Sequence, residues 1–108
     1  MMAWVYLLIA GLLEILWAIG LKHTDGFSRL IPSLATVVTM VVSMILLAIS
    51  LKTIPVGTGY AVWTGIGTVG TAIAGMIFFG ESRDLTRLFC IALIVVGIVG
   101  LKFFSTEA

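Results

Sequence analysis

Apolar positions dominate the chain in four long runs, residues 2–21, 30–51, 56–79 and 88–104, and polar positions gather in the short stretches between them. A bilayer core of ~30 Å needs about 20 helical residues to cross it, and helices are the open-ended structure that pairs its own backbone in lipid. The pattern predicts an all-α membrane protein with four transmembrane helices running alternately up and down as one domain, residues 1–108. The punctuation fits this reading. Lys22-His23-Thr24-Asp25-Gly26 supplies an Asp-Gly turn, and Pro32 stands where the first turn of a second helix tolerates a missing N–H. Lys52-Thr53-Ile54-Pro55 and Gly80-Glu81-Ser82-Arg83-Asp84 are brief enough to join antiparallel neighbours in a bundle.

Composition strengthens the membrane setting: the chain is 61% hydrophobic and 10% charged, with a mean hydropathy of +1.27, outside the balance of a soluble domain. The first run lacks the basic start of a cleavable signal peptide and contains an acid. Cys90 is the single cysteine, lies in the fourth run, and reads as a small hydrophobe. No nucleophile–base pair, metal-ligand cluster or phosphate loop is discernible. The chain therefore reads as no enzyme, and no cofactor, metal or nucleic-acid partner is expected.

Glu14 is the one carboxylic or basic side chain in the run from Met2 to Leu21. A carboxyl group near mid-span is costly without partners or water, so it points to function: it can carry a proton, hold a cation, or exchange one for the other. Gly11, Trp17 and Ala18 share its helical face, which puts a space-making glycine and a large aromatic ring beside the acid. Trp17 is read as a pocket wall, able to stack on a cation or to donate its indole N–H, whereas Trp4 is read as an interface anchor.

The second run carries hydroxyls at Thr36, Thr39, Ser43 and Ser50 along one stripe. Such hydroxyls commonly bond back to their own helix. Ser43 is singled out because its depth could match that of Glu14, to which it would then donate. In the third run Tyr60 and Trp63 point to one side, followed by Gly65 and Gly67, a combination suited to an aromatic cation gate beside a flexible centre; glycine also serves close packing. Cys90, Leu93, Gly97 and Gly100 form a face of the fourth run that predicts a dimer seam, with internal packing as the competing use. Four helices also have little volume in which to enclose both a solvated acid and a permeation path. His23 reads as a solvated loop residue, Lys102 as a snorkelling cation, and Met40, Met44 and Met76 as gap fillers.

The positive groups Lys22, Arg29, Arg83 and Arg87 would face one side of the membrane, and Lys52, Lys102 and the amino terminus the other. So small a bias leaves insertion in both orientations open.

The chain resembles the small multidrug resistance transporters over essentially its whole length. The resemblance rests on the single acid in Gly11-Leu12-Leu13-Glu14, the stretch Gly26-Phe27-Ser28-Arg29-Leu30-Ile31-Pro32-Ser33, and the stretch Pro55-Val56-Gly57-Thr58-Gly59-Tyr60-Ala61-Val62-Trp63-Thr64-Gly65-Ile66-Gly67. Trp17, Trp63-Thr64-Gly65-Ile66-Gly67 and the ending Gly100-Leu101-Lys102 are similar to the guanidinium-exporter branch; the quaternary-ammonium branch usually lacks that tryptophan. Gly59 departs from the family's usual alanine-like residue.

The resemblance implies an antiparallel, dual-topology homodimer in the bacterial inner membrane, with two copies of Glu14 facing one site. There protons and a guanidinium-type cation would compete as the transporter alternates its access. It also implies that Glu14, Trp17, Ser43, Tyr60 and Trp63 line that site. Guanidinium suits the chemistry, since a carboxylate accepts its paired N–H groups in a bidentate geometry that a tetraalkylammonium lacks. A quaternary-ammonium multidrug exporter, a passive cation channel and an accessory membrane subunit are the other readings.

Overall fold

The four apolar runs become α1 (Met2–His23), α2 (Leu30–Ser50), α3 (Val56–Phe78) and α4 (Leu85–Phe103). The structure is a computed structural model describing residues 2–104, and no strand occurs among the described residues. Each helix is long and apolar enough to cross a membrane.

Local chemistry sets the ends. After α1, Asp25, Gly26 and Phe27 all take positive φ (50°, 70° and 66°), a left-handed run that L-residues adopt only when held. Buried Thr24 holds it. The Thr24 hydroxyl donates to the Leu21 carbonyl (2.8 Å) and accepts from the Phe27 N–H (3.1 Å), while its own carbonyl accepts from the Ser28 and Arg29 amides (3.0 and 3.1 Å). His23 ends α1 rather than lying in the loop.

Pro32 lies in the first turn of α2, where no intrahelical N–H is needed. Gly80 follows α3 with φ 65°, which lets the Glu81 N–H reach back to the Gly75 carbonyl (3.1 Å). The last helix starts at Leu85, ahead of the apolar run. Asp84 is the extended residue before it, and Leu85-Thr86-Arg87 joins the helix despite its mixed polarity.

Helix α1 packs on α2 and α3, whereas the backbone of α4 comes close to that of α3 alone. The result is a slab of 43 × 35 × 17 Å, thin beside helices ~10–12 Å across. Lipid supplies no hydrophobic drive between helices, so close approach depends on small residues. Gly11 admits Ile66 of α3, Gly20 admits Thr36 of α2, Gly70 admits Ile15 of α1, and Gly65 admits Ile98 of α4. Leu7, Ala10, Leu47, Ile54, Val62 and Trp63 form the buried core, and the remaining large aliphatic side chains point largely outward. Met44 is one of these outward residues, half-exposed rather than filling a gap. At one end of the slab the Lys102 ammonium lies 4.8 Å from the centre of the Trp4 ring, a cation–π contact that ties the end of α4 to the start of α1.

Candidate functional site

The site grows out of the α1–α3 contact. On α3, Gly67 has no side chain, and the carboxyl of Glu14 occupies the space where a Cβ would stand. Glu14 thus rests against helix backbone, half-buried, and its Oε1 has no hydrogen-bond partner in the protein. One turn along α1, Trp17 reaches the same region; its ring centre lies 6.4 Å from that of Trp63, and its Nε1 is likewise buried without a partner. Tyr60 follows Trp63 at 5.5 Å between ring centres. An aromatic series, Trp17–Trp63–Tyr60, therefore runs from beside the acid to a tyrosine that is 55% exposed.

Trp63 is the fixed member of that series. It is 5% exposed, and its Nε1–H donates to Ser43 Oγ (3.1 Å), which donates in turn to the Ala10 carbonyl (2.7 Å). This corrects the expectation that Ser43 donates to Glu14. The one hydroxyl proton of a serine goes to the backbone of α1 one turn before the acid, and the oxygen's acceptor capacity goes to the indole. Ser43 is fully buried and joins three helices: α2 by its own backbone, α1 through Ala10 and α3 through Trp63. The other hydroxyls of the stripe divide. Thr39 and Ser50 bond back to Ala35 (2.8 Å) and Leu46 (2.9 Å), and buried Thr36 fills the notch at Gly20.

The arrangement offers a carboxylate with a free acceptor atom, an indole N–H with nothing to donate to, and a series of mutually tilted aromatic rings. Burying a charge without a partner is unfavourable, so a protein that keeps Glu14 there needs a proton or a cation to occupy it. Among the described residues no cluster of metal-ligating side chains occurs.

The family profile described as Small Multidrug Resistance protein matches residues 2–94 of the chain. The chain belongs to the small multidrug resistance family. It is similar to the guanidinium exporter of Escherichia coli (strain K12), with 62% identity over 101 residues covering 94% of this chain and 96% of the relative. The guanidinium exporter of Salmonella typhimurium (strain LT2) is 60% identical over the same shares. That of Yersinia pseudotuberculosis is 59% identical over 104 residues, covering 96% of this chain and all of the relative. With four spanning helices the protein is a multi-pass integral protein of the inner membrane, a transporter rather than an enzyme.

For a small multidrug resistance protein the state of the remaining positions is informative. Helix α3 runs unbroken through Gly65 and Gly67, and both glycines act in this structure as notches, for Ile98 and for Glu14. No residue of α4 is buried. Cys90 and Leu93 are exposed, and a Cβ at Gly97 or Gly100 would meet nothing, so this face is unused within the protomer.

The sequence reading did not anticipate a polar groove of about 390 Å³ lined by Glu14, Gly67, Thr68, Thr71, Glu81 and Arg87. Its signal was present in the four-residue spacing of Gly67, Thr71 and Gly75, which puts two notches and a hydroxyl on one side of α3.

Proposed function

We propose that the protein exports guanidinium and small guanidinyl compounds in exchange for protons, working by alternating access as an antiparallel homodimer in which Glu14 of both subunits holds the exchanged ions. The observation that carries this reading is the Glu14 carboxyl seated at Gly67 with an unpartnered oxygen, beside a Trp17 indole N–H that is also unpartnered. A planar guanidinium, which carries donors only, satisfies the carboxylate of such a site well and leaves the indole N–H free for the acid's own oxygens. Its paired N–H groups bond the carboxylate in plane, and its face stacks on Trp63 and Trp17. The names of the similar exporters agree with it.

Coupling follows from competition. A carboxylate that has accepted a proton no longer attracts a cation, so each ion leaves when the other arrives. Ser43 acts by fixing Trp63, and Tyr60 by covering the outer end of the aromatic series. Gly65 and Gly67 give α3 the freedom to shift between access states. The bare faces at Gly97 and Gly100 close the dimer, where small residues let α4 meet its counterpart.

The test is current measurement on solid-supported membranes bearing the reconstituted protein, with guanidinium jumps at two pH values. Guanidinium-driven charge movement that weakens at the lower pH supports the reading. Currents for a bulky aromatic ammonium exceeding those for guanidinium would move the assignment to the multidrug branch. Conduction that cannot drive protons uphill would make the protein a passive channel.

A further inference from the structure

The groove that begins at Glu14 ends at an ion pair with an unusual chemical relation to the cargo. Arg87 Nη2 lies 2.7 Å from Glu81 Oε1, and Glu81 and Arg87 line the same groove as Glu14, Thr68 and Thr71. Glu81 is seated as Glu14 is: its carboxyl occupies the place of a Cβ at Gly75, as that of Glu14 does at Gly67. The two glycines are eight residues apart on α3, so the two carboxylate seats are separated by ~12 Å along the helix. Thr71 stands midway, and its buried hydroxyl has no partner. The group held on Glu81 is a guanidinium belonging to the protein itself.

We propose, resting on the guanidinium-export reading above, that Glu81 is an outer guanidinium-binding subsite at the mouth of the groove, occupied between transport events by the guanidinium of Arg87 acting as a built-in competitor. A guanidinium ion arriving at the α3–α4 loop takes the place of Arg87 on Glu81, with the same N–H-to-carboxylate geometry, and passes along Thr71 to Glu14. A departing ion makes the reverse exchange. The pair is suited to turnover because it is partly exposed, with side chains 32% (Arg87) and 47% (Glu81) accessible. Pairs of that exposure contribute little net stability, so Arg87 swings into solvent at little cost. Glu81 stays in place, because its amide is bonded to the Gly75 carbonyl (3.1 Å) and Gly80 supplies the positive φ that brings it there. In an antiparallel dimer each face of the membrane presents one such mouth.

Competition and simple structural support predict different signs. If Glu81 binds the cargo, Glu81→Gln raises the KM for guanidinium; if Arg87 competes for Glu81, Arg87→Gln lowers it. Each shift is expected to be up to about fivefold, the range of an exposed charge-assisted pair. The experiment measures guanidinium KM in proteoliposomes for wild type, Glu81→Gln, Arg87→Gln and Arg83→Gln at fixed ionic strength. Arg83 is the control: it carries the same charge four residues earlier, in the loop before α4, but bonds the Met76 carbonyl (3.2 Å) instead, and the KM of Arg83→Gln is expected to match wild type.

Raising the salt concentration is expected to shrink the Arg87→Gln gain, since the site is open to screening. Shifts of Glu81→Gln and Arg87→Gln in the same direction, no shift in Arg87→Gln, or an equal gain in Arg83→Gln would each overturn the proposal. Arg87→Gln leaves no buried charge behind, so it decides the matter even where Glu81→Gln fails to insert. A wild-type protein that carries no guanidinium current overturns the export reading and this inference together; opposite-sign failure in an active wild type overturns this inference alone.

Discussion

Replacing Ser43 by alanine tests whether the serine serves the site through Trp63. The hydroxyl is fully buried and has two partners, the Ala10 carbonyl at 2.7 Å and the Trp63 indole N–H at 3.1 Å. Their losses are unequal. The Ala10 carbonyl also accepts the amide four residues on within continuous α1, so it stays bonded. The indole N–H has no second acceptor, and a buried donor left unpaired costs ~1–3 kcal/mol; direct interhelical hydrogen bonds in membranes average ~0.6 kcal/mol and reach ~1.7.

Ser43→Ala is therefore expected to destabilise the protein by about 1–2 kcal/mol, the larger part of it through Trp63. In a Trp63→Phe background the donor is already gone, and Ser43→Ala should cost only ~0.6 kcal/mol, the hydroxyl-to-carbonyl bond. Thermal unfolding of the four proteins of this double-mutant cycle, followed in detergent, gives the coupling, expected near 1 kcal/mol. Trp63 also packs in tilted contact with Trp17 and Tyr60, so the freed ring is expected to weaken guanidinium affinity about threefold to tenfold in the same cycle. Additive costs, with Ser43→Ala equally harmful in both backgrounds, would refute the role given to Ser43.

Four other outcomes follow from the geometry. Gly67→Ala puts a methyl where the Glu14 carboxyl rests; overpacking of this kind costs ~1–3 kcal/mol, and guanidinium transport is expected to fall at least about tenfold, while Gly57→Ala, whose Cβ meets nothing, leaves it unchanged. A Cβ at Gly97 meets nothing inside the protomer and the residue lies on an exposed face, so Gly97→Leu should preserve the far-ultraviolet circular dichroism while lowering the dimer fraction in cross-linking; a full dimer population would place the seam elsewhere. Glu14→Gln is expected to abolish proton-coupled guanidinium exchange in liposomes. In the unmodified protein guanidinium affinity should fall as pH is lowered from ~9 to ~5, because the proton and the cation want the same oxygens and the pair of acids titrates together; pH-independent binding would sink the coupling scheme.

What the sequence disclosed and what it withheld divide along a physical line. Spans were legible because bilayer thickness converts directly into a count of apolar residues, and Glu14, Trp17, Tyr60 and Trp63 stood out because i, i+3 spacing fixes which side chains share a face. Both are properties of one helix at a time. Ser43 was placed in the right region with the wrong partner, since its depth relative to α1 depends on how two helices cross. The structure puts it at Ala10, four residues or ~6 Å before Glu14. That offset changes its chemistry from a donor for the acid to an anchor for the ring.

The pair Glu81–Arg87 was hidden for a similar reason. Its six-residue separation spans a loop and a helix start, and it closes only because Gly80 adopts a positive φ and Gly75 leaves room for a carboxyl. Periodicity likewise says which face of α4 is lined with small residues but not which neighbour it meets; in the protomer that face meets none. The exposed stripe through Gly97 and Gly100 and the unpartnered oxygen of Glu14 thus express one condition: a protomer this thin cannot by itself enclose the acid it carries. In the proposed dimer, a second copy that covered α4 would also bring a second Glu14, and two carboxylates competing for protons and one guanidinium are what the proposed exchange requires.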